Sequence, residues 1–475
     1  MRPKLALAVV VSLLLAAAWA GAEEIAGLPL HVVRLDPGTV RLWIGDSNSS
    51  TAIVAFATEK GIVVVDTFGI PEIDSQLRAI IARELGRSDF RVLINTHEHS
   101  DHTGGNSIYA DCAIVGHERI APGLVQSSAE RERALGLFPE WISESEAELA
   151  KAEPGSPQAA KLQEELASRR MRFENVKANL PPVPPTVTFS DRMALDMGDT
   201  TFELSWIGGM HSASDTGIFV PERGLLLTGD VMADVWLTDT PGCLASFSAR
   251  PGIPHDFPLM LANWNRLLAR RDQIRLLLPG HWNGELSIAG AEARVEYVRA
   301  LWDGVAKAVA DGETFDQVQT EYQLATRFPD LVSSPGFAQA RHYSTVTEIW
   351  SEVTDQLAAA TVLFELIDQG AGDTAIRAVV DDRTSDSPKY FFIENDINGY
   401  GYFLLQQDKV EQAVKLFRIN VELFPESWNV YDSLGEALLR AGSTDEAIAM
   451  YERSLVLNPD NTNGREALAK IRPAA

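Results

Sequence analysis

Four short apolar runs in this chain each end on a turn that carries a metal-binding residue type, and that repeated arrangement limits the folds open to it. Phe90–Asn95 runs into Thr96-His97-Glu98-His99-Ser100-Asp101-His102, which places three imidazoles and Asp101 within six residues. Thr201–Trp206 leads through Gly208-Gly209-Met210 to His211. Leu225–Leu227 leads through Gly229 to Asp230, and Ile274–Leu278 through Pro279-Gly280 to His281. Strand ends on one rim of a sheet converge in space although they are distant in sequence. Loops leaving strands are where an α/β scaffold places chemistry, and His and Asp are ligands for zinc and related divalent ions.

Spacing divides these ligands. His97 and His99 are two apart, so on extended backbone they point the same way, whereas on a helix they would diverge. They can share one ion with His211. Asp101 and His102 then turn toward a second ion completed by His281, and Asp230 can give one oxygen to each. Closed structural zinc sites favour Cys and fill every position; a His/Asp set with a shared carboxylate is more typical of two-metal hydrolysis. Five of the nine histidines lie in these segments. His31, His117, His255 and His342 are expected as surface or core histidines, and His342 is the one to examine for a pocket role.

The 475 residues allow two or three domains, and the formal net charge of −25 argues against nucleic acid or anionic lipid as the main partner. Residues 1–22 read as a secretory signal: Arg2 and Lys4 precede an apolar run from Leu5 to Ala18, and Ala20-Gly21-Ala22 offers a cleavage site. The chain is therefore expected to be exported, periplasmic or secreted. No other segment reaches the roughly 18 to 20 apolar residues of a membrane helix. The two cysteines, Cys112 and Cys243, leave a disulfide and two free thiols both open.

Strand-like runs (Ala52–Phe56, Ile62–Val65, Ala113–Gly116, Gly217–Val220) alternate with a helix over Asp74–Leu85, so residues 23–290 read as an α/β catalytic domain. A two-helix insertion is expected at about 127–176, broken at Pro154-Gly155, and the proline-rich 180–185 stretch reads as a linker. Residues 291–390 read as a helical linker region, with candidate helices at Ala291–Ala310 and Ser344–Leu366. Gly401, Ala413, Phe417, Leu423 and Pro425 recur 34 residues later as Gly435, Ala447, Tyr451, Leu457 and Pro459. That period is the tetratricopeptide pattern, assigned to 391–475. Two repeats fall short of the roughly three needed for stability, so preceding helices or a partner chain are expected to cover their faces.

The HxHxDH motif, Asp66 ending a strand, His211 followed by Asp215, Gly229-Asp230 and Pro279-Gly280-His281 together resemble the metallo-β-lactamase superfamily over about residues 28–290. The resemblance implies an αββα sandwich followed by an all-α, tetratricopeptide-like C-terminal region. It also implies that Asp66 and Asp215 fix loops or support ligands rather than bind metal. Asp230 at the bridging position resembles the glyoxalase II-like and lactonase-like branches more than true β-lactamases.

The expected cofactors are two divalent ions, zinc first, with iron or manganese as alternatives. The expected activity is hydrolysis of an ester-, lactone-, thioester- or amide-type bond of a small molecule by a bridging water held as hydroxide, with Asp101 orienting it and shuttling its proton. Trp236 and His342 are the substrate-pocket candidates, the first on the Val231–Phe257 loop, which with the insertion is expected to roof the cleft. Three alternatives stand beside this reading. They are an alkyl sulfatase or phosphodiesterase of the same fold, a mono-iron persulfide dioxygenase-like enzyme, and an interaction protein whose repeats act while the metal domain is vestigial. The repeats are also a candidate surface for homo-oligomerisation or a protein partner.

Overall fold

The structure is a computed structural model that describes residues 23–46, 50–178, 182–232, 255–281, 287–323, 327–328 and 335–471. The signal sequence expected at 1–22 lies outside the described residues. The chain divides into two compact units. One takes its described residues from Met1–Ser205, Thr216–Trp236 and Gln273–Glu285; the other takes them from Trp206–Asp215, Leu237–Asp272 and Leu286–Ala475.

The first unit is built on two sheets. Eight strands follow one another in chain order: β1 (Glu24–Ile25), β2 (Leu28–Asp36), β3 (Thr39–Ile44), β4 (Ile53–Thr58), β5 (Gly61–Val65), β6 (Phe90–Ile94), β7 (Ala113–His117) and β8 (Val187–Phe189). β1 to β5 pair antiparallel, and β5 to β8 pair parallel. The second sheet has the order β13 (Leu276–Leu278), β12 (Leu225–Leu227), β11 (Thr216–Val220), β10 (Thr201–Trp206), β9 (Arg192–Asp196), with β12 and β13 parallel.

Strand alternation explains the layering. Val54, Phe56, Val63, Val65, Val92 and Ile94 turn one way, and they pack with Phe202, Leu204, Ile218, Val220, Leu227 and Leu278 of the second sheet. Ile53, Ala55, Ile62, Val64 and Leu93 turn the other way, onto the helix α1 (Pro71–Leu85) through Ile73, Leu77, Ile80 and Ile81. Phe90 joins that outer layer although Val92 joins the inner one. The register shifts between Ile62 and Val63, so Arg91 is the extra residue and the side chains on either side of it change faces.

The helical segment after β7 is a hairpin of α3 (Ile120–Lys151) and α4 (Pro157–Ala178), preceded near the site by the one-turn α2 (Ser100–Thr103). In the second unit the helices are α5 (Phe257–Leu268), α6 (Ile288–Ala310), α7 (Phe315–Glu321), α8 (Pro335–Thr354), α9 (Ala359–Asp368) and α10 (Asp373–Asp381). They continue with α11 (Glu394–Gln406), α12 (Val410–Leu423), α13 (Trp428–Arg440), α14 (Thr444–Leu457) and α15 (Thr462–Ile471). The single helix expected over Ser344–Leu366 is two. Asp355 takes a left-handed φ of 56°, and Leu357–Ala358 pairs parallel with Tyr390–Phe391 before α9 starts. Ala358, Ala359 and Ala360 follow directly and favour helix, so nothing local announces the break.

The starts of α11 and α13 are 34 residues apart (428 − 394), as are those of α12 and α14 (444 − 410). Gly401 faces the Phe417 ring and Gly435 the Tyr451 ring, so each glycine seats an aromatic side chain against a helix backbone. The covering expected of preceding helices is present: Ala359, Leu363 and Ile367 of α9 and Ile376, Val379 and Val380 of α10 share one core with the repeats, and Leu468 of α15 closes the other end. Among the described residues no helix is long and apolar enough to cross a membrane.

Candidate metal centre

Parallel pairing brings the motif ends together. β5 and β6 run side by side and end at Asp66 and at Asn95-Thr96-His97. β12 and β13 run side by side and end toward Asp230 and His281. In parallel pairs the carboxyl ends share a rim, and there the turns release the ligand-type residues. Two groups of possible ligand atoms result, each with all its atoms within 4.8 Å of one another: His97, His99, His211 and Asp230, and Asp101, His102 and His281.

Asp230 faces both groups. One of its oxygens is 3.5 Å from His102 Nε2; the other is 3.1 Å from His281 Nε2 and 3.8 Å from His97 Nε2. Asp101 Oδ2 lies 3.1 Å from His281 Nε2 and 3.8 Å from His102 Nε2, and the two imidazole nitrogens are 3.1 Å apart. A zinc ion about 2.1 Å from each ligand atom would hold tetrahedral neighbours about 3.4 Å apart, which is the spacing seen here. The donor set therefore fits divalent cations. Gly280 keeps the space open, because a Cβ there would fall 2.6 Å from Asp230 Oδ1 and 3.1 Å from His102 Cε1.

Asp66 is buried and adopts a left-handed φ of 62°, unusual outside glycine. What that conformation achieves is visible in its bonds. The carboxylate accepts from the Thr96 amide (2.8 Å) and the Thr96 hydroxyl (2.8 Å), and contacts His102 Nδ1 at 2.9 Å. With Nδ1 held there, His102 presents Nε2 to the site. Asp215 cradles the loop that carries His211, accepting from the amides of Met210 (3.1 Å), His211 (2.8 Å) and Ser212 (3.0 Å) and from the Ser212 hydroxyl (2.7 Å).

Four more supports carry no ligand themselves. Asn95 and Asn106 exchange side-chain amide bonds at 2.9 and 3.0 Å, and Asn95 also donates to the His102 carbonyl. The Thr67 hydroxyl donates to that same carbonyl, and the buried Arg41 donates to the Pro279 carbonyl at 3.2 Å, beside His281. The signal that could have found Asn95 and Asn106 is polarity at fully buried positions flanking the ligand motif.

The electrostatics follow from three carboxylates converging on two imidazoles. Burial disfavours the charged His281, but Asp230 and Asp101 outweigh it and push the imidazole up to about 9. For His102 burial is likewise overcome, by Asp230, Asp66 and Asp101, and the ring is held well above its usual value. Desolvation around Asp101 is outweighed by His102 and His281, which hold its carboxyl well below the usual carboxylate range.

The remaining histidines have other partners. His31 contacts Asp46 at 2.9 Å and stacks on Trp43; His117 meets the Ser190 carbonyl at 2.6 Å; His255 lies 3.4 Å from Glu348. His342, one of the two substrate-pocket candidates, is buried within the helical unit, with Nδ1 2.7 Å from the Tyr297 hydroxyl and Nε2 on the Tyr322 carbonyl. Both ring nitrogens are thus engaged in packing α8 against α6 and the end of α7. The other candidate, Trp236, most of the Val231–Phe257 loop and Cys243 lie outside the described residues. Cys112 is buried, which pushes its thiol up to about 11.

A family model described as the metallo-beta-lactamase superfamily matches residues 44–281, and a tetratricopeptide repeat model matches 428–471. The chain belongs to the metallo-beta-lactamase superfamily and carries a tetratricopeptide repeat near its C-terminus. A curated relative, the 2,4-dinitroanisole O-demethylase subunit alpha of Nocardioides sp. (strain JS1661), is 24% identical over 280 residues, 58% of this chain and 64% of the relative. The chain thus spans just under two thirds of that relative's length. Among solved structures, a metallo-beta-lactamase from Pontibacter korlensis is 17% identical, covering 56% of this chain and 97% of its own, with a TM-score of 0.36. A stereoselective inverting sec-alkylsulfatase from Pseudomonas sp. is 11% identical, covering 91% of this chain and 66% of its own, with a TM-score of 0.45.

Proposed function

We propose that this chain is a dinuclear metal-dependent hydrolase acting on an ester-, lactone-, thioester- or amide-type bond of a small molecule. The observation that carries the proposal is Asp230, whose two oxygens face His102 on one side and His97 and His281 on the other. His97, His99, His211 and Asp230 would hold one cation, and Asp101, His102, His281 and Asp230 the second. When bound, such a pair of cations, zinc first among them, supplies a nucleophile at neutral pH and polarises the bond attacked.

The chain's own residues do the rest. Asp101 is the half-exposed member of the second set, with 43% of its side chain accessible. As a carboxylate it orients an incoming water and takes its proton. Asp66 fixes the His102 ring, and Asp215 fixes the backbone from Met210 to Ser212, so neither set needs to reorganise when substrate arrives. The name of the Nocardioides relative describes removal of a methyl group from an aryl ether oxygen, which adds a nitroaryl ether to the substrates worth testing.

The test is a hydrolysis panel on zinc-loaded full-length protein, covering lactones, thioesters, β-lactams, aryl phosphates, alkyl sulfates and a dinitroaryl methyl ether, with His99→Ala as control. Turnover of an acyl substrate that His99→Ala abolishes supports the reading. Turnover retained in that variant removes the ligand assignment, and turnover of the sulfate or phosphate alone transfers the reading to that class. We further propose that the chain is exported. N-terminal sequencing of the mature protein should begin near Glu23, and a protein starting at Met1 in the cytoplasmic fraction would refute export.

A further inference from the structure

We infer that Asn263 and Trp264 of α5 are positioning residues for the candidate ligand His211, acting through the backbone of the loop that carries it. The inference rests on the two-cation reading. Asn263 Nδ2 donates to the carbonyl of Trp206 at 2.7 Å, and Trp264 Nε1 donates to the next carbonyl, that of Ile207, at 2.9 Å. Arg266 donates to Asn263 Oδ1 at 3.0 Å, which sets the amide so that its N–H2 faces Trp206. Both side chains are buried, Trp264 completely.

The next residue along is fixed by shape. Gly208 has a φ of 124°, and a Cβ there would collide with Met260 Cγ, one turn before Trp264 on α5. Three consecutive residues, Trp206 at the end of β10 and Ile207 and Gly208 after it, are thus held by three α5 side chains. His211 follows three residues on, and Asp215 holds the amides around it. Apolar packing alone would let a loop slide along a helix; directed bonds to two successive carbonyls do not.

α5 itself is anchored at its start. The Asp256 side chain accepts from Leu259 N at 2.9 Å, and Glu352 of α8 accepts from Phe257 N at 3.2 Å on each oxygen. The His211 loop therefore leans on a helix that the C-terminal helical region holds at its N-terminus. No metal-binding motif contains these residues. They contribute donors to backbone carbonyls, and carbonyls leave no trace in side-chain identity.

The experiment separates the two ligand sets by mutation and reads zinc affinity by chelator competition rather than turnover. In a His281→Ala background, which leaves the first set, Asn263→Asp keeps the side-chain shape but turns a carboxylate oxygen on the Trp206 carbonyl. It should weaken zinc about 10- to 100-fold, the usual effect of losing a ligand's support. In a His99→Ala background, which leaves the second set, the same change should leave zinc affinity as it was. Trp264→Phe, which removes only the second donor, should repeat the pattern more weakly, and Ala262→Ser on the exposed face of α5 should do nothing. Equal loss in both backgrounds, or no loss in the first, overturns the inference. A wild-type chain that binds fewer than two zinc ions instead overturns the two-cation reading, before any α5 variant is considered.

Discussion

The rim of the sandwich gathers buried polar side chains at one place, whereas the repeat tail is built mainly on buried apolar ones. At the rim Asp66, Asn95, Thr96, His102, Asn106 and Asp230 are all buried, in a unit whose strands otherwise interlock through Val, Ile, Leu and Phe. In the tail the shared core from Ala359 to Leu468 is mainly apolar, and its buried polar groups bond within the helical stack, Asn420 to the Glu394 carbonyl and Asn461 to the Ser454 hydroxyl. Burying a polar group is costly unless it is paired, so a concentration of buried polar groups signals a site, whereas a repeating apolar core signals scaffold. The difference predicts that perturbing the rim changes metal content with little change in fold, and perturbing the tail does the reverse.

The largest effect should come from Asp230→Asn, which weakens the one carboxylate that faces both ligand sets. Metal content measured on the purified variant should fall below one zinc per chain, with kcat/KM lowered by about a thousandfold or more, as when one essential member of a catalytic set is lost. Asp66→Asn should act on one set only. With the carboxylate partner of His102 Nδ1 gone, zinc affinity of the second set should drop about 10- to 100-fold while the first set keeps its ion, read by chelator competition.

Acidification should lower metal affinity, and the sign follows from the raised imidazoles. Without cations His281 holds its proton up to about 9 and His102 is also raised, so at pH 7.5 zinc must displace protons. Zinc titrations in buffers of different ionisation enthalpy should report proton release, and the apparent affinity should fall as pH falls from 8 to 6. A pH-independent affinity would remove these rings from the ligand set. The smallest effect on the site belongs to Phe417→Ala in α12. It should cost about 3–5 kcal/mol of tail stability as a buried aromatic truncation, lowering the melting temperature but leaving zinc content at the wild-type value.

Much of this was legible in sequence because its signals are local. Short strand-like runs bounded by turns marked Thr201–Trp206 and Leu225–Leu227 at their observed bounds, and the 34-residue step marked the helices of the tail. The ligand-type residues were legible because each set follows an apolar run, and His211, Asp230 and His281 also follow a glycine-containing turn. Three kinds of feature were not. The break at Asp355 depends on a strand partner at Tyr390–Phe391, more than thirty residues on. The third helix pair, α9 and α10, lacks the glycine and aromatic spacing of the repeats it completes. Asn263, Trp264 and Arg41 act on backbone carbonyls far away in sequence, and the contacts of His342 with Tyr297 and Tyr322 likewise depend on partners that its own helix does not announce.

The central claim is that one carboxylate serves two cations. Its most direct measurement is the metal content of the full-length chain after zinc loading and exhaustive dialysis, by elemental analysis against amino-acid-quantified protein. The account predicts two zinc ions per wild-type chain and one per chain for His281→Ala. One iron per chain, with oxygen consumed during turnover, would contradict it.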